Sequence, residues 1–244
     1  MVDTAGVRFR KNPGTAVSLV LCGHPTFALS VAVGVAVAAA LAGRSLREVG
    51  LVLVTVLLGR LTAGWLNDVA DRERDIAVDR QDKPIAREWV HPSTVTFTVA
   101  CVTLLVVPLS VSNGTYAGIA HLGSVAAAWV YNTRIKLGAL SWLPWAVSFG
   151  LLPTFLSYGG WGGGVHGGPA TPALTLLAAL LGIGIHVALA LPDLVSDNRN
   201  GVKSLPMRIA LKTGAAQLLY VTIAYFVIVG TALVYTAITV GLRA

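Results

Sequence analysis

Long apolar runs broken by short polar connections dominate the chain. Each run approaches the roughly 20 residues that a helix needs to cross a hydrocarbon core. Read this way, the pattern predicts spans over Ser18–Ala42, Val49–Leu66, Thr94–Val111, Tyr116–Tyr131, Ala139–Tyr158, Pro172–Leu191 and Ala215–Leu242. The last run is long enough for one tilted helix and too short for two. The expected fold is therefore all-α, a polytopic membrane bundle of about seven helices. No linker divides the sequence, so residues 1–244 are read as a single transmembrane domain; the Gly-rich stretch from Gly159 to Gly168, which contains His166, reads as an outer loop.

Composition agrees with the pattern. Of 244 residues, 55% are hydrophobic and 12% are charged, where soluble domains carry about 25% charge. That balance argues against both an ordinary soluble protein and a disordered one. The formal charge is +7, and its placement alternates. Arg8, Arg10 and Lys11 precede the first span. Arg72, Arg74, Arg80, Lys83 and Arg87 follow the second, Arg134 and Lys136 the fourth, and Arg199, Lys203, Arg208 and Lys212 the sixth. The opposite connections are nearly neutral apart from Arg44, Arg47, Glu48 and Arg243. Positive charge concentrates on the cytoplasmic side, so the N-terminus is expected in the cytoplasm and the C-terminus outside. No nucleic-acid partner is expected, and no cleavable signal is apparent. Cys22 and Cys101 lie in apolar runs and read as small hydrophobes rather than a disulfide pair.

Acidic residues cluster at two places. The second span ends in Asn67-Asp68-Val69-Ala70-Asp71-Arg72-Glu73-Arg74-Asp75; if the helix continues, Asp68, Asp71 and Asp75 step by three and four along one face. The sixth ends in Asp193-Leu194-Val195-Ser196-Asp197, again one face. Both groups fall at the cytoplasmic ends of helices running in the same direction. Adjacent carboxylates repel unless a cation sits among them, and Mg²⁺ favours a few carboxylates together with substrate phosphates. Surrounding Arg and Lys would suit phosphate oxygens. Each cluster can also be read as solvated surface, and each cation as a topology signal.

These residues resemble the UbiA superfamily of intramembrane prenyltransferases. Asn67-Asp68-x-x-Asp71-x-x-x-Asp75 is similar to its first Asp-rich motif, and Asp193-x-x-x-Asp197-x-x-x-Gly201-x-x-Ser204-Leu205-Pro206 to its second. His24-Pro25, Arg60, Lys83-Pro84-Ile85, Tyr131 and Lys136 are further echoes. The resemblance implies a helical bundle around a central cavity, open to the cytoplasmic side and to lipid. There Mg²⁺, held by Asp68, Asp71, Asp75, Asp193 and Asp197, would bind an isoprenyl diphosphate. Asp71, Asp193 and Asp197 would be the catalytic acids. Asn67, Arg72, Arg80, Tyr131, Lys136, Lys203 and His186 would contact substrate. The acceptor would be small and lipophilic, aromatic or a quinone precursor. Members usually have nine spans, so seven imply either a short member, a chain lacking the last two, or a partner that supplies the missing wall. The frequent Arg-Thr pair after the first motif is also replaced by Arg80-Gln81.

Several residues admit two readings. His186 and His121 are either cavity groups or packed histidines. Trp65, Trp129, Trp142, Trp145 and Tyr158 read as interfacial belting, with Trp65 the one suspected of touching substrate. A membrane terpene cyclase of the same superfamily is an alternative activity, and a non-enzymatic seven-span transporter or receptor a second.

Overall fold

The computed structural model describes residues 12–160 and 167–242. Arg8, Arg10, Lys11, His166 and Arg243 lie outside the described residues, as does the side chain of Arg134. The predicted spans all fall on helices. These are α1 (Thr15–Cys22), α2 (Pro25–Leu41), α3 (Leu46–Ala77), α4 (Pro92–Ser112), α5 (Thr115–Val130), α6 (Trp142–Tyr158), α7 (Pro172–Ala190), the short α8 (Leu194–Arg199) and α9 (Leu205–Thr213), and α10 (Ala215–Thr239). By length and composition four stretches are long and apolar enough to cross a membrane, or five with α1–α2 counted as one bent span. At 16 and 17 residues, α5 and α6 each reach roughly 25 Å.

The first predicted span is not one helix. The chain breaks at Gly23-His24 and turns by 55°. Pro25 supplies no N–H and starts α2 in its first turn, while His24 takes a left-handed conformation at φ 50°. Directly beneath, Gly64 of α3 presses on the break. A Cβ at Gly64 would lie 2.4 Å from the Gly23 carbonyl oxygen, so only glycine permits the approach.

The second span is longer than its apolar run. A reciprocal Ser45–Glu48 capping box starts α3 by satisfying two orphan backbone donors. The helix then runs unbroken for 32 residues, about 48 Å. A hydrocarbon core is roughly 30 Å thick, so the last turns carry Asn67 to Asp75 beyond the apolar layer.

Packing follows chain order: α2 on α3, α3 on α4 and α5, α5 on α6, α6 on α7, and α7 on α10. Val35, Val56, Ala120, Phe149 and Phe155 join α2, α3, α5 and α6 in one buried cluster. Large apolar side chains on the outer faces stay uncovered: Phe97 is 70% exposed, Leu104 75% and Ile228 68%. Such surface is an aggregation liability in water and is at home in lipid, as befits an integral membrane protein.

Arg60, midway along α3, is the polar pin of the bundle. It is 8% exposed. Its guanidinium donates to the Ser148 hydroxyl at 3.0 Å and the Ser124 hydroxyl at 3.1 Å, and lies 4.9 Å from the Phe149 ring centre. The two serines donate to each other's carbonyl oxygens, at 2.6 and 2.8 Å. Among the described residues no carboxylate pairs with Arg60.

Two substitutions test this packing. Gly64→Ala forces α1–α2 off α3 and is expected to cost about 1–3 kcal/mol, read as a lowered unfolding temperature in detergent. Arg60→Met removes a buried charge held only by neutral partners. It is expected to lower the unfolding temperature, by about 1.5–3 kcal/mol for the lost hydrogen bonds between α3, α5 and α6; a raised temperature would show that burying the charge costs more than those bonds return.

Candidate active site

One face of α3 lines a cavity of about 470 Å³. Arg60, Gly64, Asn67, Asp71, Asp75 and Val78 follow one another by four, three, four, four and three, the period of a single helical face. The other wall repeats the spacing. His186, Ala190, Asp193, Asp197 and Asn200 all line the cavity. They run from α7 through a single 3₁₀ turn, Leu191–Asp193, into α8. Pro192 accounts for that turn, because it cannot continue the α-helical hydrogen-bond ladder.

A third wall comes from the end of α5, where Tyr131–Ile135 form a π-helical turn. The Lys136 N–H bonds the Tyr131 carbonyl at 3.0 Å, so residues five apart stand over one another and both line the cavity. π-turns recur at functional sites for this reason: they re-aim side chains. Lys136 Nζ donates to Asn67 Oδ1 at 2.7 Å and to Asp71 Oδ2. Arg74 donates to the other Asp71 oxygen.

The loop after α3 closes the mouth. Arg80 grips Asp82 with two hydrogen bonds of 2.9 Å and reaches across to Asp193 Oδ1 at 2.7 Å. Asp82 would rise on burial, but Arg80 holds its carboxyl below the usual range. Burial alone would lower the Lys83 ammonium. The charge and hydrogen bond of Asp68, with Asp75 behind, hold it above its ordinary value instead.

The inner wall is aromatic. Tyr131 meets Trp145 and His186 edge-on, with ring centres 5.4 and 5.5 Å apart, and Trp145 stacks on His186 at 5.8 Å. His186 Nε2 shares a 2.9 Å hydrogen bond with the buried Ser141 hydroxyl, which also accepts from the Leu205 N–H at 3.0 Å. His186 is thus both packed and cavity-lining.

Of the residues expected from sequence, Asn67, Asp71, Asp75, Arg80, Tyr131, Lys136, His186, Asp193 and Asp197 converge on the cavity. Three do not. Arg72 lies roughly 100° round α3 from Asp71 and is absent from the lining. Lys203 is exposed outside it, its backbone N–H tied to the Leu137 carbonyl. Asp68 is 1% exposed and turned away from the cavity. Trp65 is also buried elsewhere, donating to the Leu19 carbonyl at 2.7 Å. Sequence reasoning missed Arg74, whose position one turn after Asp71 placed it on the right face. It also read Trp145 as belting, although Trp145 sits a turn before Ser148 on the inner face of α6.

The donor set suits an oxygen-preferring divalent cation shared with a ligand. The carboxylates of Asp75 and Asp197 line the cavity with no hydrogen-bond or ion-pair partner among the described residues, and Asp71 and Asp193 stand beside them. Among the described residues no three acidic, His or Cys side chains stand close enough to hold a metal ion alone. The expected triad of Asp68, Asp71 and Asp75 is not formed, because Asp68 is drawn to Lys83 and Asp71 to Lys136 and Arg74. Mg²⁺ commonly takes one or two carboxylates and completes its shell with water and phosphate, which this arrangement permits.

Solved structures share the fold. A UbiA homolog from Archaeoglobus fulgidus bound to GPP and Mg²⁺ aligns with a TM-score of 0.67 at 18% identity, covering 91% of this chain and 85% of that one. The same homolog bound to DMAPP and Mg²⁺ gives 0.67 at 17% identity, with the same coverage. A digeranylgeranylglyceryl phosphate synthase gives 0.61 at 17%, covering 93% of this chain and 78% of that one. No curated protein matches. The profile of the UbiA prenyltransferase family matches residues 27–244, and with both acidic walls on one cavity, the chain belongs to that family.

Proposed function

We propose that the chain is a Mg²⁺-dependent intramembrane prenyltransferase. It would move an isoprenyl group from its diphosphate to a small aromatic or quinone-precursor acceptor. The observation that carries the reading is the pairing of two acidic walls, Asp71/Asp75 and Asp193/Asp197, with Lys136, Arg74 and Arg80 at one cavity mouth. The Archaeoglobus homolog's complexes with GPP and Mg²⁺ and with DMAPP and Mg²⁺ support the same substrate class here.

Bound Mg²⁺ would neutralise the diphosphate and make it a better leaving group. Asn67, Asp71, Asp75, Asp193 and Asp197 are the residues placed to hold it. As diphosphate enters, Lys136, Arg74 and Arg80 exchange their carboxylate partners for phosphate oxygens, forming charge-assisted hydrogen bonds. The prenyl C1–O bond then breaks, its electron pair leaving with the diphosphate. Tyr131 and Trp145 contribute aromatic surface to the wall around the developing cation, and the apolar wall keeps water from it. The acceptor's π-electrons form the new bond to C1, and the acceptor loses a proton to the departing diphosphate. Arg60, deeper in the cavity without an acidic partner, would meet an anionic group on such an acceptor. The cavity mouth would face the cytoplasm, with the C-terminus outside.

The assay uses the chain in nanodiscs with geranyl diphosphate, Mg²⁺ and hydroxybenzoate or dihydroxynaphthoate, following prenylated product by mass spectrometry. Product is expected, and chelation of Mg²⁺ should abolish it. Asp71→Asn and Asp193→Asn should each lower the rate at least about 100-fold, whereas Lys203→Ala should leave it near wild type. A cyclised hydrocarbon formed without acceptor would replace transfer by cyclisation. Metal-independent turnover unaffected by either Asp variant would refute the site.

A further inference from the structure

We infer that Asp68 is a positioning residue rather than a metal ligand. It fixes Lys83 and the break between α1 and α2, so that the Lys83 ammonium stands on the cavity mouth beside the His24 imidazole. This rests on the diphosphate reading above and assigns that site a second cationic wall, separate from Lys136 and Arg74.

Asp68 sits roughly 80° off the centre of the cavity face of α3 and contributes nothing to the lining. Its Oδ1 lies 2.6 Å from Lys83 Nζ and 2.8 Å from His24 Nε2, which are 3.1 Å from one another. Both partners line the cavity. Its Oδ2 is buried without a hydrogen-bond partner. Cys22, Trp65 and Ile85, near neighbours in sequence of His24, Asp68 and Lys83, belong to one buried apolar cluster, and Asp68 is 1% exposed where the His24 side chain is 39% exposed.

The backbone gives independent support. His24 is a non-glycine residue at φ 50° and ψ 58°, a region that costs energy and persists only where surroundings enforce it. Here the enforcing contact is Asp68. The carboxylate also anchors the Lys83 ammonium at the cavity edge through the 2.6 Å hydrogen bond, and without it the side chain loses its closest partner. Removing Asp68 therefore takes a fixed cation from the mouth while sparing Asp71, Asp75, Asp193 and Asp197.

The test is calorimetric titration of the full chain in nanodiscs with geranyl diphosphate, repeated across Mg²⁺ concentrations. Asp68→Asn and Lys83→Met should each weaken diphosphate binding about 10- to 100-fold, as loss of supporting partners does. The double variant should bind no more weakly than either single one, because both remove the same pair. Lys83→Arg should restore most of the affinity. The Mg²⁺ concentration for half-maximal binding should stay at the wild-type value in all of these and rise in Asp71→Asn. A raised Mg²⁺ requirement in Asp68→Asn, additive losses, or unchanged or tighter diphosphate binding would overturn the inference while wild-type binding upheld the functional reading. Wild-type protein that binds no geranyl diphosphate would remove that reading and the inference with it. If Asp68→Asn is not monodisperse, Lys83→Met against Lys83→Arg decides: weakening in Met alone at constant Mg²⁺ requirement supports the assignment, and no weakening contradicts it.

Discussion

Carboxylates cannot crowd together where α3 leaves the apolar layer unless positive charge is interleaved with them, since removing ions from water is costly unless they are paired. The architecture of the mouth follows from that requirement. Asp71 is shared by Lys136 from the end of α5 and Arg74 from its own helix. Asp68 holds Lys83 and His24, and Asp193 is reached by Arg80 across the opening. Apart from Asp71–Arg74, which lies within α3, each pair ties a different segment to α3 or to the turn after α7, so charge balance and cavity shape are one constraint. A metal brings positive charge to the carboxylates and a diphosphate brings negative charge to the lysines and arginines, so together they can take over the two halves of these pairs.

Backbone devices put the charges in place. The Gly23–Gly64 contact lets the α1–α2 break rest on α3 and brings His24 to the mouth. The π-turn at Tyr131–Ile135 sets an aromatic ring and an ammonium on one wall. The capping box at Ser45 and the length of α3 determine how far the acidic turns project. Arg60 then ties α3 to the Ser124–Ser148 pair, where small residues allow α5 and α6 to approach closely.

Much of this was legible in the chain. Apolar runs located every long helix, because a lipid-facing helix must be apolar over its whole length. The two acidic motifs, their order and their common membrane side identified both walls. The break in the first span was hidden, since Gly23-His24 interrupts an otherwise apolar run by only two residues. Asp68 was grouped with Asp71 because a three-residue step passes as one face. The face is in fact centred between Asn67 and Asp71, and tertiary pairing with Lys83 settles where Asp68 points. Arg72 and Lys203 satisfied charge sign but not direction. Trp145 gave no signal distinguishing a cavity wall from a membrane belt.

The most direct measurement is an experimental structure of the chain in nanodiscs with Mg²⁺ and geranyl diphosphate. The account predicts metal on carboxylates of both walls, Lys136 and Arg80 moved onto phosphate oxygens, and Asp68 still bonded to Lys83. Diphosphate bound elsewhere with the Lys136–Asp71 and Arg80–Asp193 pairs intact, or Asp68 turned onto the metal, would contradict it.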